Sequence, residues 1–571
     1  MLVIDEVHNL RMTDNGKVKP SSNNILKLAK YSDNLKILIL SATPMFNSYL
    51  EIIWLINLLN ANDNRYIIRE TDIFDKNGNF VQDETGNEIG KELLIQKITG
   101  YVSYVRGNNP FSFPYSIYPK ESNSEHSLLQ LMESGEWEYP ETQLNGAAIV
   151  APINLLDLTM LQIEDYQFEG YNYILDAVKE SHPVLNNPNK GIPYTALAPL
   201  RQALNFIYPH KELSPGYGGK DTRLHKVLYG KKGLARTMLF NERTTSDFKY
   251  KDSTLRDFGR IFSNENIGKY SSKIKYICES IIKSKGIIFV YSEFIAGGAI
   301  PMALALEELG ITRYGTSKSL FETPPTPPID GITMAIRDPN KPKSFKGAKY
   351  MMITGDTPKI VLKTDLNAIT SEDNKYGENV KVVIVSRAGS EGLDFKNIRE
   401  MHILDSWYNL NRQEQIIGRA VRNLSHCLLP FEERNVSIFL YGTILPDEIE
   451  SVDLYIYRLA EDKARKMAII SRILKENAVD CLLNNGQDFT VDTINKNVEL
   501  ILSSRKKINY NIGDKNGSII CDFTNCKYDC NTKSQTIDEI DESTYNESFI
   551  TMNLDKIIQR IRILYKEKYI F

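Results

Sequence analysis

"KVVIVSRAGSEGLDF", residues 381–395, decides the fold. A short apolar run that stops at polar residues and enters a glycine-containing turn has the pattern of a buried strand in a parallel α/β sheet. In such sheets ligands sit at the carboxyl ends of the strands. Gly389, Ser390 and Gly392 give the chain backbone freedom near a bound phosphate, or simply at a strand–helix turn.

The same pattern recurs on both sides of this stretch. Residues 2–4 are apolar and end in Asp5-Glu6, and "LKILIL" (35–40) ends in Ser41-Ala42-Thr43-Pro44. "GIIFVYS" (286–292) and "REMHILDS" (399–406) read as further strands. Residues 48–60 and 299–310 read as helices, the second ending at Gly310, and 447–477 as a long charged helix or a helix pair. Residues 62–90 suggest a hairpin insertion, 106–120 an irregular Pro-containing stretch, 150–208 mainly helix, 209–222 a loop. Residues 316–350 carry a Pro-rich polar insert, loop-like or disordered. From 485 the chain turns polar, with an acidic patch at 538–542 and a terminal amphipathic helix, "LDKIIQRIRILYKEKY".

Composition narrows the class. The 571 residues suffice for two to four domains, and 42% hydrophobic with 25% charged residues is ordinary for a globular chain. The net charge of −3 announces no global basic field, so a nucleic-acid partner needs a local basic groove. No apolar run reaches the roughly 18–20 residues of a membrane span, and the opening residues do not read as a secretory signal. Six cysteines are too few for a disulfide scaffold and suit a reducing compartment.

Four pieces carry chemistry. In "VIDEVH" (3–8), adjacent carboxylates at a strand end can hold Mg²⁺ through water and orient an attacking water, the two tasks of phosphoryl transfer. Ser41 and Thr43 can hydrogen-bond to that acidic turn. The 386–395 turn is the third piece. The fourth is Gln415-x-x-Gly418-Arg419-x-x-Arg422, whose helical spacing places both guanidiniums on one face, fit to stabilise charge on a transferring phosphoryl group. Singly, each also reads as a solvated turn or a basic helix face. Their order, each after a strand or on a helix, makes one machine.

This set resembles the superfamily 2 helicases and translocases. Motif II is Asp5-Glu6-Val7-His8, motif III Ser41-Ala42-Thr43, motif V Ala388 to Asp394, motif VI Gln415 to Arg422. "GYVSYVRGNNPFSFPYSIYP" (100–119) and "AVDCLLN" (478–484) resemble the DNA-dependent ATPases of large DNA viruses, relatives of the poxvirus early transcription factor small subunit and nucleoside triphosphate phosphohydrolase. The resemblance implies an α/β fold of two RecA-like domains, the first incomplete and without the P-loop strand. A partial domain over 1–120 would precede a helical, irregular insertion over 121–265. The second domain would span 266–445, followed by a helical extension and Cys-containing tail over 446–571. It further implies ATP and Mg²⁺ as cofactors. Asp5 would hold the metal and Glu6 activate water. His8, Ser41, Thr43, Gly389, Gly392, Asp394, Gln415 and Gly418 would couple nucleotide to nucleic acid, and Arg419 and Arg422 would reach the γ-phosphate across a cleft. DNA or RNA would meet Ser386, Arg387, Ser390 and Trp407. Viral RNA polymerase or transcription-factor subunits are the implied partners, no membrane is involved, and the setting is the host cytoplasm (viral factory) or virion.

One family part is missing. No G-x-x-x-x-G-K-[ST] string occurs, and "GYGGKDT" (216–222) has the wrong spacing. Expected consequences are a truncated gene record, a split gene or an inactive paralogue, and an empty slot between strands 2–4 and 37–40. Two further features stand apart. Cys521-x4-Cys526-x3-Cys530 with Cys481 could hold Zn²⁺, or be unpaired tail thiols, while Cys278 and Cys427 read as small core residues. Trp407 could stack on a base or pack beneath motif VI.

Overall fold

The computed structural model describes residues 1–10, 19–32, 34–105, 109–188, 190–213, 224–315, 319–336, 345–355, 357–387, 393–485, 489–531 and 554–562. The acidic patch, "GYGGKDT" and residues 388–392 of the glycine turn, Gly389, Ser390 and Gly392 included, lie outside these.

In chain order the strands are β1 (Leu2–Ile4), β2 (Ile37–Ile39), β3 (Tyr115–Ile117), β4 (Thr159–Gln162), β5 (Met238–Asn241), β6 (Ser246–Tyr250), β7 (Ile287–Ser292), β8 (Thr312–Arg313), β9 (Lys349–Ile353), β10 (Val382–Ser386), β11 (Ile398–Ile403), β12 (Asn435–Ile444), β13 (Asn497–Ile501) and β14 (Lys507–Asn511). Eight of them form one parallel sheet in the order β3-β12-β11-β7-β10-β9-β8, with β4 also on β12. Every residue of β7, β10 and β11 is buried, as expected for strands covered on both faces. Side-chain alternation sorts these strands into two cores. Ile288, Val290, Val382 and Ile384 join the helical insertion on one face, while Ile287, Phe289, Val383 and Val385 face the other.

The sheet crosses the expected domain limits. It takes β3 from within 1–120 and β4 from the insertion, because the ten-residue β12 is long enough to pair with both along one edge. A strand at 115–117 also corrects the irregular reading of 106–120. The prolines at 110 and 114 precede it and leave its ladder intact.

The first unit is smaller. Strands β1 and β2 pair directly in parallel, Leu2 opposite Ile37 and Ile4 opposite Ile39, so the expected empty slot between them does not exist. Along their shared edge each strand satisfies the other's backbone groups. The cost falls on the side chains: Val3, Leu38 and Leu40 stay 45–47% exposed. The rest of this unit's core lies around the helix Glu51–Asn62, with Ile52, Ile53, Trp54 and Leu58 buried.

One helix joins the units. Val452–Glu476 starts on Ser451, whose hydroxyl accepts from the Leu454 amide. At about 1.5 Å per residue it is long enough to cross both. Its first half buries Leu454, Tyr457 and Ala460 against the large sheet, and its second buries Met467, Ile470, Ile473 and Leu474 in the first unit's core. Beyond it, disulfides Cys481–Cys530 and Cys521–Cys526 close the chain back onto the helix end, with Cα atoms 5.9 and 4.6 Å apart. This corrects the zinc and free-thiol readings: Arg472 and Lys475 clamp Asp522 and draw the 521–531 segment in, and the sulfurs pair with one another. Cys278 is buried as expected, but Cys427 is exposed.

Candidate functional site

The chain order of the large sheet reverses beside β7, which has the later β11 on one side and β10 on the other. Crevices form outside the carboxyl ends of strands at such a point. Glu293, Arg387 and Asp405–Tyr408 leave the three strands here. Above them lies a cleft of about 360 Å³. His8, Phe46 and Asn47 line one wall; Tyr194, Arg387, Trp407, Tyr408, Arg412, Gln415 and Arg419 line the other.

On the first wall, the turn after β1 places the histidine. Glu6 takes a left-handed φ of 50°, and its amide donates to the Asp5 carboxylate at 2.9 Å. A short turn then buries His8, whose Nδ1 lies 3.1 Å from Ser41 Oγ, 3.5 Å from Thr43 Oγ1 and 3.2 Å from the Glu6 carboxylate. The ring stacks on Phe46 at 5.4 Å. The expected meeting of D-E-x-H with S-A-T therefore occurs, and His8 is its centre. Asp5 and Glu6 are exposed beside the cleft and do not line it.

The second wall comes from β11 and the helix Leu410–Ile417. Arg412 and Gln415 lie three apart on this helix, and Arg419, in the turn just past its end, reaches the same cleft. Arg412 lies over the Trp407 ring, 3.9 Å to its centroid, and donates to the Tyr291 hydroxyl at 3.0 Å. Sequence reading missed Arg412, although its place three residues before Gln415 was the available signal. Among the described residues that line the cleft none is a carboxylate, and three guanidiniums, those of Arg387, Arg412 and Arg419, bring positive charge to it, that of Arg387 partly offset by Glu293 at 3.4 Å. A polyanion fits this field.

Arg422 departs from expectation. The helix ends at Ile417, and the chain continues in turns, so Arg419 and Arg422 do not share a helix face. Arg422 folds back to donate from Nε to the Gly418 carbonyl at 2.9 Å and pairs with Asp394 at 2.8 Å, off the cleft lining. Gly418 and Asp394 thus hold Arg422. Ser386 is buried at the end of β10.

The walls touch directly. Asn411 donates to the Met45 carbonyl at 2.7 Å, and Lys463 bridges Asn47 and Asn409 at 3.0 and 3.5 Å.

A charge change sits inside the arginine helix itself. Burial pushes the Glu414 carboxyl up to about 7. The folded chain holds this proton more tightly than the unfolded chain does. Its stabilising contribution is therefore present near the ordinary carboxylate value and lost as pH rises through about 7, up to about 3 kcal/mol. Denaturant midpoints at about pH 5 and about pH 8 should differ less in E414Q than in the parent.

Residues 335–423 match the helicase conserved C-terminal domain. That match lies within the large-sheet unit, over β9, β10 and β11. Helicase L377 of Acanthamoeba polyphaga mimivirus, named as a candidate ATP-dependent RNA helicase, is 24% identical over 100% of this chain and 49% of its own length. Helicase candidate 087L of Invertebrate iridescent virus 3 is 25% identical over 93% of this chain and 42% of itself. A termination factor NPH-I homologue of African swine fever virus is 22% identical over 85% of this chain and 63% of itself. The chain spans about half the length of the first two of these relatives. The resemblance to helicase-named proteins of large DNA viruses therefore extends beyond the motifs to most of the chain.

Proposed function

We propose that the cleft binds a nucleoside triphosphate and that its hydrolysis drives movement along DNA or RNA. The observation that carries this reading is the cleft itself. The histidine of D-E-x-H stands on one wall, the first arginine of Q-x-x-G-R-x-x-R on the other, and no carboxylate lies among the described residues that line it. Arg387, Arg412 and Arg419 would meet phosphate oxygens as fixed forks. Glu6, beside His8, would orient the attacking water. His8, held by Ser41 and Thr43, would register whether the phosphate is present.

Mg²⁺ is implied by this chemistry. Asp5 fits it: an exposed carboxylate at a strand end, with one oxygen on the Glu6 amide, suits a hard cation that takes one or two carboxylates plus phosphate oxygens. Bound there, the ion would neutralise charge between the phosphates.

The Asn411–Met45 and Lys463–Asn47 bonds bridge the walls, so a nucleotide that changes their spacing would shift one unit against the other. One relative bears the name of a termination factor, which supports a setting in viral transcription, with polymerase or transcription-factor subunits as partners and the viral factory or virion as the place. The test is hydrolysis and nucleotide binding by the purified chain, alone and with single- and double-stranded DNA and RNA. Stimulation by one of these is expected; no binding of any nucleoside triphosphate would end the reading.

A second reading keeps the cleft but moves catalysis elsewhere. The 571 residues contain no G-x-x-x-x-G-K-[ST] string. On this reading the polypeptide is a transcription subunit that binds nucleic acid and hydrolyses nucleotide only with a partner chain supplying that loop. Nucleotide binding without turnover, and turnover on adding such a chain, would favour it.

A further inference from the structure

Arg201 belongs to the helical insertion, on the helix Tyr194–Asn205, and is 4% exposed. It does not line the cleft, yet it touches what holds the cleft's cations. Its Nη2 donates to Glu293 Oε2 at 2.8 Å, and the other oxygen of that carboxylate pairs with the cleft arginine Arg387 at 3.4 Å. Its guanidinium also lies 5.1 Å from the Trp407 centroid, the ring that carries Arg412 at 3.9 Å and Arg387 at 5.7 Å. Phe294 and Tyr408 complete the enclosure of Arg201.

The backbone of Glu293 is fixed from behind. Asp405 at the end of β11 accepts from the Glu293 amide at 2.5 Å, and Asn205, four residues beyond Arg201, donates to the same Asp405 at 2.5 Å. The insertion is therefore bolted to the ends of both β7 and β11.

We propose that Arg201 is a positioning residue: by taking the larger share of Glu293 it keeps Arg387 directed into the cleft for an anionic ligand. This rests on the reading of the cleft as a polyphosphate site. The physics is a competition for one carboxylate. Glu293 has two guanidiniums to satisfy, and the buried partner wins because a buried charge gains most from a close pair. Arg387 keeps the longer, weaker contact, and its side chain is 60% exposed. Without Arg201, Glu293 closes on Arg387 and withdraws it from the ligand.

The probe is tripolyphosphate, titrated calorimetrically into the full chain, with thermal melting recorded for each variant. R201Q should bind about tenfold more weakly than the parent, the size of loss expected when one hydrogen bond to a charged ligand is lost. The double variant R201Q/E293Q should recover most of that loss, because the carboxylate that captures Arg387 is gone; a merely structural role for Arg201 predicts no such recovery. R201K keeps the pair with Glu293 and should bind near the parent's affinity. Should R201Q prove unfolded, R201K decides: if it melts like the parent but loses the anion, the proposal is overturned. Equal binding by R201Q and the parent, or no recovery in the double variant, also overturns it and leaves the cleft reading intact. A parent chain that binds no tripolyphosphate, or binds it equally after R419A, overturns the cleft reading and this inference with it.

Discussion

Replacing Arg419 by Ala should lower nucleotide hydrolysis by about three decades while the chain stays folded. Arg419 lines the cleft opposite His8, and the described residues that line it with Arg419 include Gln415 and Arg412 but no carboxylate. A guanidinium placed at a phosphoryl group in transfer supplies about 10³–10⁵ in rate. Arg422 provides the control within the same motif. Its guanidinium is already engaged by Asp394 and by the Gly418 carbonyl, so R422A should cost far less than R419A. Steady-state hydrolysis of the two variants, measured with whatever nucleic acid or partner chain turnover requires, separates them. If R422A is the more damaged, the geometry of the loop after Gly418 in solution differs from the one described.

The largest effect on stability should come from Lys273. Its ammonium pairs with Asp453 at 2.6 Å where both side chains are 1% exposed. It also donates to the Leu404 carbonyl at 3.0 Å and the Asn205 amide oxygen at 3.4 Å. Asp453 accepts in turn from Ser406 and Thr443, each at 2.9 Å. Every polar group in this knot has a partner, which is the condition for burying two charges. K273M leaves Asp453 charged, buried and short of its counter-ion, and should lower stability by about 3–5 kcal/mol. K273M/D453N removes both charges and should regain a good part of it. Urea denaturation of the parent, single and double variants measures this, and an unchanged midpoint in K273M would contradict the knot's importance. Because Asp453 opens the helix that reaches the first unit, and Ser406 precedes Trp407, K273M should also loosen the cleft floor.

Much of the layout was legible beforehand. The apolar runs at 2–4, 35–40, 286–292, 381–386 and 399–406 all contain strands, and 447–477 contains the long helix Val452–Glu476. These are local signals, since a strand covered on both faces must be apolar along its length and a helix must repeat its apolar face. The site was legible only in part. His8, Ser41 and Thr43 meet as expected, and Arg419 lies in the cleft with His8. Arg412 escaped notice because the motif was read from Gln415 onward. Arg201 and Glu293 lie 92 residues apart, and no local pattern marks their pairing.

What the sequence by itself determined is the identity and order of the parts: a carboxylate pair at one strand end, hydroxyls at another, a glycine turn and an arginine helix. Short-range sterics and apolar periodicity write these into a few consecutive residues. Only the tertiary structure decided which arginine faces the cleft, that β1 lies directly on β2, and that the four cysteines pair. Those outcomes depend on contacts such as Asn411 to Met45, 366 residues apart, where burial and competition for partners act after the chain has closed on itself.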